Sequence, residues 1–328
     1  MRSVKIIGAG RYLPPKVVTN DDLAKTIDTS DQWIRERTGI SERRVVEGDV
    51  SAGMLAARAI ADACRDAEME PDELDGIIVG TCSQDTLIPS TACWAQNELG
   101  IRGMPAFDVM AGCSSFLYGL DVATNWLLSG RAKRVAVCGA EVFSKILNWQ
   151  DRRTCVLFGD GAGAAIVTTA DEGSGSGLLS ANWGSDGTLA DILQIPAGGT
   201  RMPANHITVE EAKHFVHMEG SKVFKHAVRA MAGGLVDAMG EAGITADDVD
   251  VFIPHQANLR IMEATRERAG IDAEKVHSVL SKYGNISAAS IPVAISEARQ
   301  AGVLEDGDLL AMTAFGTGLT WAAAVMRW

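Results

Sequence analysis

Three short stretches carry chemically capable side chains, and they lie far apart in the chain. Cys113 stands in VMAGCSSFLYGL, between an apolar run with strand character and an apolar run with helix character. A thiol at a helix N-terminus meets free backbone N–H groups and the positive end of the helix dipole, which lower its pKa and can hold an oxyanion. The plainer use of such a cysteine is as a core thiol. His255 follows the strand-like DVFIP and precedes Gln256 and Asn258, so a polar cluster closes an apolar strand. A lone histidine there is more usually structural. Asn285, in YGNISAASIP, could equally serve as a turn or N-cap asparagine. In AFGTGLTW, Gly316 and Gly318 are either turn glycines or places where a backbone N–H reaches an oxyanion.

Other chemistry is excluded by missing residues. FGDGAGAAIV lacks the Lys-Ser/Thr of a phosphate-binding loop. IIGAGRYLP has only Gly8 and Gly10, with Leu13 where a dinucleotide fingerprint needs its third glycine. His214 and His217, with His226 beyond, lack the carboxylate or cysteine that would complete a metal set, so no metal is expected. There is no GxSxG of a serine hydrolase. Cys64, Cys82, Cys93, Cys138 and Cys155 read as core thiols.

The elements that must position Cys113, His255 and Asn285 are legible in outline. Runs such as DGIIVGT, RVAVCGAE, GAAIVTT, DVFIPHQ and LLAMTAF read as buried strands alternating with helical segments, hence an α/β fold. The pattern also repeats. ADACRDAEMEPDELDGIIVGTC, from Ala61, matches VDAMGEAGITADDVDVFIPHQA, from Val236, with Asp75 on Asp250 and Gly80 on His255. AGCSSFLYGLDVATNWLLSG lies on YGNISAASIPVAISEARQAG, with Cys113 on Asn285, and RVAVCGA then meets DLLAMTA, with Arg134 on Asp308. Two similar halves, 1–172 and 173–328, meet near Asp171–Gly177, a stretch that is either a linker or an ordinary surface loop. Sites in parallel α/β sheets lie at the carboxyl ends of strands, so a pseudo-twofold axis would bring the three residues together.

The composition sets the outer limits. The chain has 328 residues, 47% of them hydrophobic, with 34 glycines and 9 prolines, which fits a globular, turn-rich protein. A net charge of −12 argues against a general nucleic-acid surface, though a local basic patch could still hold an acidic partner. No apolar run reaches the ~20 residues of a membrane span, and MRSVKIIGAG reads as a first strand, not a signal peptide. Six cysteines without a CxxC pair fit a reduced cytoplasmic protein.

Taken together, SDQWIRERTGISERR, the Cys113 segment, FGDGAGAA, IPHQANLRI, GNISAASIP and AFGTGLTW resemble the thiolase superfamily, and within it the β-ketoacyl-ACP synthase III family of initiating condensing enzymes. The likeness spans essentially the whole chain. It implies a duplicated, five-layered αβαβα fold and a decarboxylative condensation of an acyl-CoA with malonyl-ACP. By position, Cys113 matches the acylated nucleophile, His255 and Asn285 its partners, and Gly316 the second oxyanion donor beside the N–H of Cys113. Trp33, Arg37 and Arg152 match residues around the coenzyme A adenine, and Gly220 and Asn258 match the pantetheine tunnel. Lys225 and Arg260 match positions where the acyl carrier protein docks, within a wider candidate patch of Lys222, Arg229, Arg266 and Arg268. Ile88 matches the residue that caps the acyl pocket of the partner in a homodimer. No cofactor is implied, since coenzyme A enters as a thioester substrate. GTG, TWA and GCSSF depart from the family's usual Gly-Gly-Gly, Thr-Trp-Gly and ACAGF, and are expected to reshape the acyl pocket. The alternatives are a related condensing enzyme or acyltransferase of secondary metabolism, and a non-catalytic acyl-binding subunit.

Overall fold

Side chains alternate between the two faces of each strand, and here both faces are apolar, so each sheet must be covered on both sides. The computed structural model describes residues 3–328 and meets that demand with two sheets. In spatial order the first contains Val4–Tyr12, Asp160–Thr169, Arg134–Val142, Gly76–Gly80 and Ala106–Val109. The second contains Gly177–Ser185, Thr320–Arg327, Leu309–Gly316 and Val251–Pro254. Strand directions agree along the two lists: antiparallel, antiparallel, then parallel. The first sheet's last strand is parallel too, and its counterpart is a single parallel bridge between Phe252 and Val276.

Five layers result. Ile78, Val135, Val137 and Val167 of the first sheet and Ile253, Leu310, Met312 and Ala324 of the second point into one shared core. Between them lie the helices Ser115–Leu128 and Ser290–Gln300, which supply Phe116, Leu120, Leu127, Ile291, Val293 and Ile295. The alternate residues Ile77, Val79, Ala136 and Cys138 face the outer helix Ala52–Asp66. Phe252, Ala311, Ala323 and Val325 face the outer helix Gly220–Ala242. This is the αβαβα stack that the resemblance implies.

The duplication extends to side chains. Asp75 Oδ2 accepts the N–H of Arg134 at 3.0 Å, and Asp250 Oδ2 accepts that of Leu309 at 2.8 Å. Arg134 therefore corresponds to Leu309, one residue beyond the Asp308 expected from the sequence. The slip has a physical reason: strands buried on both faces lack the polar–apolar alternation that marks register. The exposed residues 171–175 carry the chain from one sheet to the other. Among the described residues, no helix is long and apolar enough to cross a membrane.

Candidate active site

Cys113 lies just before the helix Ser115–Leu128. The turn that presents it is pinned by Ser115, whose buried Oγ accepts the Ala111 N–H at 2.8 Å and donates to the Gly112 carbonyl at 2.7 Å. The end of strand Leu309–Gly316 presses against this turn. A Cβ on Gly316 would fall 2.3 Å from Cys113 N, and one on Gly112, whose φ is +59°, would fall 2.4 Å from Thr317 N. Only glycines permit that approach, and it sets the backbone of Gly316 beside that of Cys113.

His255 and Asn285 reach the same cavity, of about 790 Å³, from the second half. His255 follows strand Val251–Pro254, and its N–H donates to the Thr313 carbonyl at 2.7 Å. Its Nδ1 lies 2.8 Å from Ser290 Oγ. Burial pushes the imidazole down to about 3, so it is neutral at physiological pH. Asn285 Oδ1 accepts the Ser287 N–H at 2.9 Å, which leaves its amide N–H donors for the cavity. Ser287 holds a left-handed φ of +47°, a strained conformation typical of functional turns.

The thiol differs from expectation. Position before a helix predicts an acidified Cys113, but burial pushes it up to about 12. The nearby Ser287 hydroxyl acts in the opposite direction, and the Glu141 charge adds to the rise. Glu141 is fully buried at the end of strand Arg134–Val142. It accepts the Ser83 hydroxyl at 2.5 Å and the Cys82 N–H at 3.1 Å, and burial lifts it to about 7. Cys82, read from sequence as a core thiol, lines the cavity with Cys113, and Cys93 is half-buried. Cys64, Cys138 and Cys155 are buried.

The remaining candidates divide into two groups. Gly220, at the start of helix Gly220–Ala242, lines the cavity, as does Asn258, which also caps helix Leu259–Ala269 by accepting the Ile261 N–H at 3.0 Å. Trp33 sits outside it, on helix Asp31–Thr38, which Ser30 caps and Gly39 ends. Arg37 and Arg152 place their guanidinium carbons 4.8 and 5.3 Å from its ring centroid, so the three candidates for the adenine do converge. Arg152 also bonds the Asp28 carbonyl at 2.8 Å. In the basic patch, Lys222 is paired with Glu219, and Arg266 with Glu263 and Glu267. Lys225, Arg229 and Arg260 are exposed, with Arg260 over the Phe224 ring. Ile88 is 86% exposed and is not among the residues lining its own chain's cavity, whereas the exposed Leu87 and Met110 are.

Of the departures in sequence, only Thr317 of GTG faces the cavity. Ser115 of GCSSF serves the turn, and Ala322 of TWA lies in the core. Sequence reasoning passed over Glu141, Ser287 and Ser290. The two serines sit within GNISAASIP, and Glu141 is the one acid closing an apolar strand, which is the signal that could have found it.

Residues 107–187 match the family described as 3-oxoacyl-[acyl-carrier-protein (ACP)] synthase III, and residues 239–328 match its C-terminal counterpart. The chain is 49% identical over 323 residues to a β-ketoacyl-[acyl-carrier-protein] synthase III of Caldanaerobacter subterraneus, covering 98% of this chain and 97% of that one. It is similar to the crystal structure of 3-oxoacyl-[acyl-carrier-protein] synthase III from Aquifex aeolicus, with a TM-score of 0.90 and 44% identity over 99% of this chain and 100% of that one. A Thermus thermophilus structure described as a β-ketoacyl-[acyl carrier protein] synthase III gives 0.90 and 42%, over 98% of both chains.

Proposed function

Because the chain belongs to the β-ketoacyl-[acyl-carrier-protein] synthase III family, we propose that it starts fatty acid synthesis by condensing an acyl-CoA with malonyl-ACP through an acyl-Cys113 intermediate. The observation that carries the residue assignments is the single cavity lined by Cys113, a neutral His255 and the free amide of Asn285. Cys113 sulfur attacks the acyl-CoA thioester carbonyl, the oxyanion rests on the N–H groups of Cys113 and Gly316, and CoA leaves. The thiol is protonated at rest, so the proton that leaves Cys113 equals the one taken up by the departing CoA sulfur. A malonyl thioester then loses carbon dioxide, and the electron pair of the broken C–C bond forms an enolate. His255 and Asn285 donate hydrogen bonds to its oxygen. Two neutral donors suit this step, because an enolate needs stabilising hydrogen bonds and no proton acceptor. The enolate carbon attacks acyl-Cys113, the C–S bond breaks with its electron pair on sulfur, and the 3-oxoacyl thioester departs as the Cys113 thiolate takes one proton from solvent water.

Trp33, Arg37 and Arg152 are assigned to the adenine end of coenzyme A, and Gly220 and Asn258 to its pantetheine arm. Lys225 and Arg260 are assigned to the acidic carrier protein, whose approach to a chain of net charge −12 needs a local positive patch. Ile88 is assigned to the partner's acyl pocket in a cytoplasmic homodimer, with the two halves 1–172 and 173–328 as its similar units.

The test is intact-protein mass after mixing with acetyl-CoA. Wild type should gain one acetyl group that hydroxylamine removes, and Cys113→Ala should gain none. His255→Ala and Asn285→Ala should still be acylated but lose malonyl-ACP decarboxylation. A stable acetyl adduct on Cys113→Ala would overturn the assignment of the nucleophile.

A further inference from the structure

His255 can stabilise an enolate only if the ring nitrogen facing the cavity carries the proton, and a neutral imidazole has two tautomers. We infer that Ser290 is a positioning residue that fixes the Nε2–H tautomer of His255, so that the ring presents a donor and not a lone pair to the substrate. The inference rests on the role proposed above for His255.

The choice follows from counting donors and acceptors. Nδ1 of His255 and Oγ of Ser290 are 2.8 Å apart, and both residues are fully buried. The Gln256 N–H also points at Ser290 Oγ, at 3.5 Å. Gln256 is held in place: its Nε2 donates to the Pro254 carbonyl at 2.6 Å, and its Oε1 accepts the Ser278 hydroxyl at 2.8 Å. Suppose Nδ1 carried the proton. Ser290 Oγ would then accept twice, and its own O–H would have no acceptor among the described residues. A buried hydroxyl left in that state costs ~1–3 kcal/mol. In the other tautomer Ser290 accepts from Gln256 and donates to Nδ1, so every group at this contact is used and the remaining proton sits on Nε2. Nε2 has no hydrogen-bond partner within the described chain, and it belongs to a residue that lines the cavity. Among the described residues no carboxylate hydrogen-bonds the ring to draw it toward imidazolium, and burial keeps it neutral.

The experiment has two arms. In the first, nitrogen-15 NMR of histidine-labelled wild-type enzyme reads the tautomer: Nε2 should appear protonated and Nδ1 bare from pH 5 to 8. In the second, Ser290→Ala should keep Cys113 acylation by acetyl-CoA within twofold, lose malonyl-ACP decarboxylation by about 10- to 100-fold, and show a mixed tautomer. Ser290→Cys, which retains a weaker donor, should recover part of the rate. A wild-type ring protonated on Nδ1 overturns the inference whatever the variants do, and so does Ser290→Ala with wild-type decarboxylation. A wild type that decarboxylates no malonyl-ACP overturns the proposed function instead, while its spectrum still decides the tautomer.

Discussion

Replacing Glu141 by glutamine keeps the shape of a fully buried side chain and removes its charge beside the reactive thiol. The carboxyl is lifted from 4.5 to about 7 by burial, against the pull of its hydrogen bonds from Ser83 and Cys82. Between those two pH values the folded protein holds a proton that the unfolded chain has released. The stability that Glu141 contributes is therefore fully present below pH 4.5 and lost as pH rises through 7. At ~1.4 kcal/mol for each pKa unit, the whole window amounts to roughly 3 kcal/mol. Urea unfolding of wild type and Glu141→Gln from pH 4.5 to 8, at one protein concentration, reads it as a difference. The variant should gain about 3 kcal/mol on wild type across that range. Contributions common to both proteins, such as that of His255, cancel. The same substitution removes a charge that opposes the Cys113 thiolate, so iodoacetamide should alkylate Cys113 faster in the variant at pH 8, by roughly tenfold for each unit its pKa falls. A stability difference that does not change with pH, or a variant no faster to alkylate, would refute this account of Glu141.

His255 is held near 3, so malonyl-ACP decarboxylation should show no histidine inflection between pH 5 and 8, and an inflection near 6.5 that disappears in His255→Gln would contradict its burial. Gly316→Ala places a methyl group 2.3 Å from Cys113 N against backbone that cannot yield; it should cost about 1–3 kcal/mol in unfolding and slow acylation at least tenfold (roughly), and unchanged values in both assays would remove the close approach from the site. Ile88→Trp and Cys113→Ala homodimers should each be inactive, while co-expression should restore about a quarter of wild-type condensation, since about half the dimers are mixed and each has one intact site. Confirmed mixed dimers without activity would place Ile88 outside the partner's pocket.

The sequence by itself marked an α/β fold, its duplication, and Cys113, His255 and Asn285 as candidates for one site. Those signals are local or repeat along the chain: apolar runs, matched acids such as Asp75 and Asp250, and small residues around the thiol. It left the second-half strand one residue out of step, because a strand buried on both faces carries no alternation to mark its register. Only the tertiary structure decided how the trio behaves. The acidity of Cys113 depends on burial and on Glu141, which reaches it from a different strand. Its turn is shaped by a strand end some two hundred residues away in sequence (~200), because glycines at 112 and 316 let two backbones meet. The proton on His255 is fixed by Ser290 across the second half of the fold. Electrostatics and tautomers respond to whatever folding packs against a group, and no spacing within a single stretch records that neighbour.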